Sequence, residues 1–177
     1  YMPAYNVTDM QTVHDIEQYV QNGGILVLTF RSGIRDEFNN MLPLTVPGVF
    51  RELAGIRVSE FDALRQPVKV TGAFEGNASI WCDIVEPETA QVLCTYKDTW
   101  FAGKAAVTVN KFGNGFVYYV GCDLDETAMD SLIGLIASKH GFKSFAPDAD
   151  SGVEVVKRTY SNSDYLILMN HNSHTAS

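Results

Sequence analysis

The sequence predicts an α/β domain with a mainly parallel sheet, followed by a short β-hairpin. The run from Ile25 to Phe30 is apolar almost throughout, as is typical of a strand buried on both faces of a helix-covered sheet. Amphipathic helix patterns lie on either side of the central region, at residues 9–22 and 126–139. Near the C-terminus, two strand-like segments flank a polar turn at residues 161–164, which indicates a hairpin.

The first helix is expected over residues 9–22. Thr8 is its predicted N-cap, and Gln11 stands three residues on, which completes a capping box. One face carries the apolar residues Met10, Val13, Ile16 and Val20. Gly23 and Gly24 are expected to end the helix, because glycine readily adopts the positive φ that often follows a helix C-terminus.

A long loop follows the buried strand, over residues 31–47. Loops of this length without secondary structure are usually functional or interfacial. The loop combines charged and aromatic groups with apolar neighbours: Arg31, Arg35, Asp36, Phe38, Met41, Leu42 and Leu44. This mixture suits a subunit or domain interface; a solvated connection is the alternative.

The middle of the chain predicts a short helix and then several strands. Residues 48–54 form the helix, which ends at Gly55. Alternating apolar and polar residues predict half-buried strands at residues 57–64 and 67–74. Residues 79–85 and 91–96 are further strand candidates, separated by the breaker Pro87. Strands at 104–111 and 116–120 flank Gly113-Asn114-Gly115, the strongest hairpin signal in the chain.

A linker rich in Pro, Asp and Ser covers residues 142–152, and strands are predicted at 153–160 and 165–170. A hairpin of roughly 25 residues cannot build the core of a sandwich, so it is expected to be a stub. The domains are therefore expected at residues 1–145, truncated at the N-terminus, and at residues 146–177.

Composition and charge exclude several partners. The net charge of −8 argues against nucleic acid and anionic membranes. The odd count of cysteines, Cys82, Cys94 and Cys122, without a paired spacing, favours reduced thiols and a cytoplasmic protein. Export stays open, because sequence upstream of Tyr1 is expected in the parent protein.

Acidic residues follow two predicted strands and are candidates for chemistry. They are Asp36 and Glu37 after the first strand, and Asp123, Asp125 and Glu126 after the last. They would bind a divalent cation if both strands were parallel neighbours, whereas helix capping and solvation are the ordinary alternative. A glycosidase pair would need a barrel, which this length cannot supply. No catalytic residue, metal ligand or cofactor site is predicted.

Nucleophile and zinc motifs are also incomplete. A nucleophile elbow needs small residues on both sides, and Cys122 is followed by Asp123 and Leu124, so buried structural thiols are the favoured interpretation. His171 and His174 lack a third zinc ligand.

Four aromatic residues would offer faces to a sugar, although core packing is the usual role of strand aromatics. They are Trp81, Tyr96, Trp100 and Phe101. Trp100 and Phe101 are the best exception, because they lie in a turn-like stretch and would suit a subunit contact.

Several segments together resemble a known family. They are ILVLTFRSGIRDEFNN (25–40), Pro47-Gly48, ELAGIRV (52–58), EFD (60–62), Tyr96, FAGKAAVT (101–108), FGNG (112–115) and YVG (119–121). In this order they resemble the middle, or trimerisation, domain of glycoside hydrolase family 42 β-galactosidases, over most of the chain.

The resemblance implies a class I glutamine amidotransferase-like, that is flavodoxin-like, three-layer sandwich. It implies a non-catalytic domain that assembles the enzyme and walls its active site. The parent would be a trimeric, retaining β-galactosidase whose two catalytic glutamates belong to the preceding barrel, with the galactoside bound nearby and the hairpin opening the C-terminal β-sandwich. The expected interface residues are Arg31, Arg35, Asp36, Phe38, Trp100 and Phe101.

Two other functions stay open at this point. One is an amidotransferase-like binding module, without a nucleophile, for a sugar or another small ligand. The other is an active amidotransferase or esterase, which ranks last because a nucleophile elbow is missing.

Overall fold

The structure is a computed structural model, and it describes residues 1–144 and 146–175. The chain divides into two compact units, Tyr1–Ser131 and Leu132–Ser177, which are described separately below. The expected boundary at residue 145 falls outside the described residues.

Three α-helices lie in the described ranges: α1 (Met10–Gln21), α2 (Arg51–Ala54) and α3 (Glu126–His140), with a 3₁₀ turn at Gly48–Phe50 leading into α2. None of these helices is long and apolar enough to cross a bilayer. The predicted N-cap at Thr8 is wrong by one residue. Asp9 caps α1, because its carboxylate accepts from the backbone N–H of Thr12 at 2.9 Å and from the Thr12 hydroxyl at 2.7 Å.

Eight strands form one mixed sheet in the first unit. They are β1 (Ile25–Thr29), β2 (Ile56–Ala63), β3 (Val68–Gly72), β4 (Glu75–Pro87), β5 (Gln91–Tyr96), β6 (Ala105–Phe112), β7 (Gly115–Val120) and β8 (Cys122–Leu124). The order is β1-β7-β6-β5-β3-β4-β2, and the long strand β4 also pairs with β8 and β6. Of these strand pairs, β1 with β7 is parallel and the others are antiparallel.

The predicted flavodoxin-like, amidotransferase-like sandwich with a mainly parallel sheet is wrong. The fold is mostly β, with a mixed eight-stranded sheet. The segments between residues 56 and 96 pair with one another as antiparallel strands, and a doubly wound fold would instead carry crossover helices there. The alternating pattern of these segments is typical of antiparallel strands.

The apolar run that suggested a central parallel strand lies at the end of the strand order. On the other edge of β1, Met2 forms an isolated parallel bridge with Leu28. The strand is nevertheless buried, because Leu26 and Leu28 belong to a core cluster that includes residues of α1 and α2. Side chains from these helices and from β7 therefore cover β1.

The predicted hairpin around Gly113-Asn114-Gly115 is confirmed, and it lies against the end of α1. A Cβ atom on Gly115 would lie 2.1 Å from the carbonyl oxygen of Val20 and 2.3 Å from that of Gly24. Glycine is required at this position, since any side chain would collide with backbone.

The second unit contains the C-terminal hairpin, formed by β9 (Val153–Tyr160) and β10 (Ser163–Asn170). The strands pair antiparallel, from Ser163 with Tyr160 to Asn170 with Val153. Ser161 and Asn162 form the turn with positive φ angles of 45° and 65°. Every residue of β10 is exposed, although Tyr165 to Met169 are all apolar.

Candidate functional site

One surface of the first unit carries a stack of three side chains, Arg31, Phe61 and Trp81, called the Trp81 stack below. Phe61 of β2 stacks on the Trp81 indole with ring centroids 4.7 Å apart and planes at 17°. The guanidinium carbon of Arg31 lies 5.1 Å from the centroid of the same ring, within the range of a cation–π interaction. Arg31 follows β1 and has a left-handed φ of 62°.

The carboxylate of Asp83 holds the Trp81 indole in place through its ring N–H. Asp83 is only 2% exposed, and its carboxylate accepts from the Trp81 Nε1 at 2.8 Å and from the Tyr119 hydroxyl at 2.7 Å. The backbone and the guanidinium charge of Arg31 lie close enough to act on the pKa of this carboxylate. Burial raises the pKa of Asp83, and these donors only partly offset that effect. The same buried carboxylate therefore holds the Trp81 indole and lies near the charge of Arg31.

The predicted interface loop, residues 31–47, is ordered by its own hydrogen bonds. Asp36 accepts from the backbone N–H groups of Phe38 at 3.0 Å and Asn40 at 2.7 Å, and from the Asn40 side chain. The Asn40 side chain and these N–H groups lower the pKa of Asp36. Arg35 donates to the carbonyl oxygen of Asn39 at 2.9 Å. Phe38, in the middle of this loop, is 77% exposed.

Trp100 and Phe101 differ in accessibility. Trp100 is 68% exposed, and its Nε1 donates to a carboxylate oxygen of Asp62 at 3.2 Å. Phe101 is buried and meets the Trp100 ring edge-on, with centroids 5.1 Å apart. It makes a similar contact with the buried Tyr96. Phe101 therefore supports Trp100, and only Trp100 presents an open aromatic face.

The acidic residues that suggested a cation site have separate roles. Asp125 caps α3 by accepting from the backbone N–H of Ala128, and it also accepts from Asn77. Asp123 accepts from the Ser79 hydroxyl at 2.8 Å. Across residues 1–144 and 146–175, no group of three or more His, Cys, Asp or Glu side chains is arranged to hold a metal ion.

The three cysteines are buried, free thiols, as the sequence predicts. Burial raises the pKa of Cys82 to about 12 and the pKa of Cys122 well above its usual value. Cys82 and Cys122 lie opposite each other on β4 and β8. Such thiols stay neutral near pH 7, which is unfavourable for a nucleophile. His171 lies beside Glu154 at 3.2 Å in the hairpin.

The Trp81 stack and its support by Asp83 were not predicted from the sequence. Trp81 was assigned to core packing, although its side chain is only partly buried. One signal was present in the stretch Ile80-Trp81-Cys82-Asp83-Ile84-Val85. A single carboxylate within an apolar strand must find donors when it is buried, and the neighbouring tryptophan N–H is such a donor.

Comparison with known proteins identifies the family. The family model described as "beta-galactosidase trimerisation domain" matches residues 1–143. β-Galactosidase BgaA of Clostridium cellulovorans is 30% identical over 174 residues, which are 97% of this chain and 26% of that protein. β-Galactosidase BgaB of a Geobacillus species is 35% identical over 164 residues, covering 90% of this chain and 24% of the relative.

Solved structures agree with these relatives. The β-galactosidase of Bacillus circulans sp. alkalophilus superposes with a TM-score of 0.89 at 32% identity, over 98% of this chain and 27% of that one. The β-galactosidase of Rahnella sp. R3 gives a TM-score of 0.86 at 31% identity, over 97% of this chain and 27% of its own. The chain thus spans about a quarter of the length of these relatives. It belongs to the family of β-galactosidase trimerisation domains.

Proposed function

We propose that this chain is the assembly domain of a longer bacterial β-galactosidase. The parent enzyme hydrolyses terminal β-D-galactosides with retention, on two carboxylates of a catalytic barrel upstream of Tyr1. The chain joins three such barrels and walls their active sites. The match of residues 1–143 to the trimerisation family carries this proposal. The names of the relatives support the activity of the parent.

The carboxylates of this chain support a non-catalytic role. A retaining glycosidase holds its acid and nucleophile about 5–5.5 Å apart across a sugar-sized cleft. Asp36 is occupied by backbone N–H groups of its own loop, and Asp125 caps a helix. Both arrangements favour ionised, structural carboxylates and leave neither group placed as a proton donor.

The proposed contact surface includes the residues expected from the sequence: Arg31, Arg35, Asp36, Phe38, Trp100 and Phe101. Phe38 and Trp100 support it directly, because large aromatic side chains that are mostly exposed are costly in water and are enriched at interfaces. Asp36 and Arg35 shape the loop that carries Phe38, and Phe101 holds Trp100.

Residues 146–177 are proposed to open a C-terminal β-sandwich in the parent. The exposed apolar residues of β10, on both faces of the strand, support this assignment, because such a strand gains stability only when other layers cover it. The free thiols favour a reducing, cytoplasmic location.

The test compares the full-length enzyme with a version that lacks residues 1–143. Sedimentation velocity is expected to give a trimer for the full-length enzyme and a smaller species for the deletion. Hydrolysis of nitrophenyl β-galactoside is expected from the full-length enzyme and not from residues 1–177 alone. A trimer that persists without residues 1–143 would remove the assembly role from this domain.

A further inference from the structure

We propose that the Trp81 stack anchors the contact between two copies of the full-length protein, and that Arg31 receives a carboxylate of the neighbouring copy. This inference rests on the proposed assembly function and names the side chains that make the contact. Phe61 and Trp81 were not among the residues expected at the interface, and Arg31 acquires a defined role.

Arg31 has unused capacity to bind an anion. Its guanidinium lies against the face of Trp81, which leaves the five N–H donors of the guanidinium plane for other partners. Within the described part of the chain, Arg31 forms no ion pair. Asp83 is near enough to interact with its charge, but that carboxylate is already bonded to Trp81 and Tyr119.

The stack is held in place before any partner arrives. The indole is fixed through its Nε1 by Asp83, and Asp83 is fixed by the hydroxyl of the buried Tyr119. A side chain that is already immobile loses little conformational entropy when it is buried by a partner. Stacked aromatic and arginine side chains in this condition are typical interface hot spots.

The apolar surface beside the stack also remains open. Phe61 is 60% exposed and Ile80 is 70% exposed. Ile80 has a φ of 60°, which is rare and unfavourable for a β-branched residue. Its strained backbone keeps an isoleucine in solvent next to Trp81, and such strain is typically retained where it serves a function.

The occupant that fits best is a second copy of this protein. The chain has 21 acidic and 13 basic residues, so another copy presents mostly carboxylates to an exposed arginine. The match to a family of trimerisation domains also favours a second copy as the partner. A sugar fits less well, because Phe61 and Arg31 already contact the Trp81 ring, whereas sugar stacking needs an open aromatic face.

The experiment uses the full-length protein with the photo-crosslinking residue benzoylphenylalanine at position 61. Irradiation is expected to join two copies covalently, and peptide mass spectrometry is expected to find the adduct near an Asp or Glu. The same residue at position 10 is the control, since Met10 is 69% exposed on α1, and it is expected to give no adduct between copies. Adducts within a single copy, while the wild type is trimeric, would overturn the inference and leave the assembly function intact.

A charge reversal gives the second measurement. Arg31→Glu is expected to raise the dissociation constant of the trimer about tenfold or more. Lys111→Glu makes the same charge change at another exposed site and is expected to have little effect. Equal dissociation constants for the two variants would contradict the role of Arg31. A position-61 adduct that is lost when lactose is added, with the trimer unchanged, would assign the stack to sugar binding instead. A monomeric wild type would defeat the proposed function itself.

Discussion

The hydroxyl of Tyr119 donates to the carboxylate of Asp83 at 2.7 Å, and both side chains are buried. Burial raises the pKa of each group, with that of Tyr119 raised well above its usual value. Burying an ionised Asp83 costs stability that its two side-chain donors only partly offset, so we assign this pair a positional role. It holds the Trp81 indole, which carries the Trp81 stack.

The raised pKa of Asp83 predicts a specific pH dependence. The folded state holds the proton to a higher pH than the unfolded state, so Asp83 lowers stability as pH rises from its usual value of 3.8 through its folded pKa. Each tenfold change in its ionisation constant corresponds to about 1.4 kcal/mol. Asp83→Asn is expected to lose this contribution, so its stability relative to wild type should increase between pH 4 and 7. Urea unfolding at several pH values measures the free energy of unfolding of both proteins. If the two free energies changed in parallel with pH, the prediction would be contradicted.

The burial of β1 predicts that Leu28→Asp prevents folding. Leu28 is fully buried, and an unpaired buried charge costs several kcal/mol against a typical stability of about 5–15 kcal/mol. Leu44→Asp is the control, because Leu44 is half exposed. Circular dichroism should show a cooperative transition only for the control. A soluble, cooperatively folding Leu28→Asp variant would show that β1 is not buried.

The close approach at Gly115 predicts that Gly115→Ala destabilises the first unit by about 1–3 kcal/mol, as overpacking does. The added methyl group would collide with the carbonyl oxygens of Val20 and Gly24. Gly134→Ala is the matched substitution, because Gly134 lies in α3 with open space around it. It is expected to raise the free energy of unfolding by about 0.5–1 kcal/mol. Chemical denaturation compares the two; equal effects would mean that α1 does not lie against the hairpin.

The exposure of β10 predicts that deletion of residues 147–177 changes the melting temperature by less than about 3 °C, equivalent to ~1 kcal/mol. Gly115→Ala is the reference, because it disturbs a close backbone contact within the first unit, and it should lower the melting temperature more. Differential scanning calorimetry distinguishes the two. A large drop after the deletion would place the hairpin in the core of the domain.

The isolated chain is expected to show no β-galactosidase activity, because the candidate carboxylates Asp36, Asp123 and Asp125 are held by structural hydrogen bonds. The assay uses nitrophenyl β-galactoside with the wild-type chain and with Asp36→Asn and Asp123→Asn. Turnover that disappears in either variant would place catalysis in this domain.

Local structure was largely predictable from the sequence. The β6–β7 hairpin was located to within a residue, because Gly113-Asn114-Gly115 allows few other conformations, and α1 was located to within one residue at each end. The fold class was not predictable by the same reasoning. An apolar run shows that a strand is buried, but not whether strands or helices bury it, and β1 is covered by helices at the end of the strand order.

The candidate site was only half visible in the sequence. Arg31 and Trp100 were identified from their loops, where exposure is expected. Trp81 and Phe61 lie within strands, where alternation does not distinguish an aromatic residue in the core from one in a surface stack. The contact of Arg31 with Trp81 joins residues far apart in the chain, and no local pattern encodes such a pairing.

The parallel pairing of β1 with β7 has a consequence for biosynthesis. Ile25 pairs with Phe116, so β1 leaves the ribosome about 90 residues before its partner strand. At roughly 5–20 residues per second, synthesis of that interval takes about 5–20 s. During this time the nascent chain carries Leu26 and Leu28 without the parallel partner of β1, so this apolar segment is open to a chaperone throughout the interval.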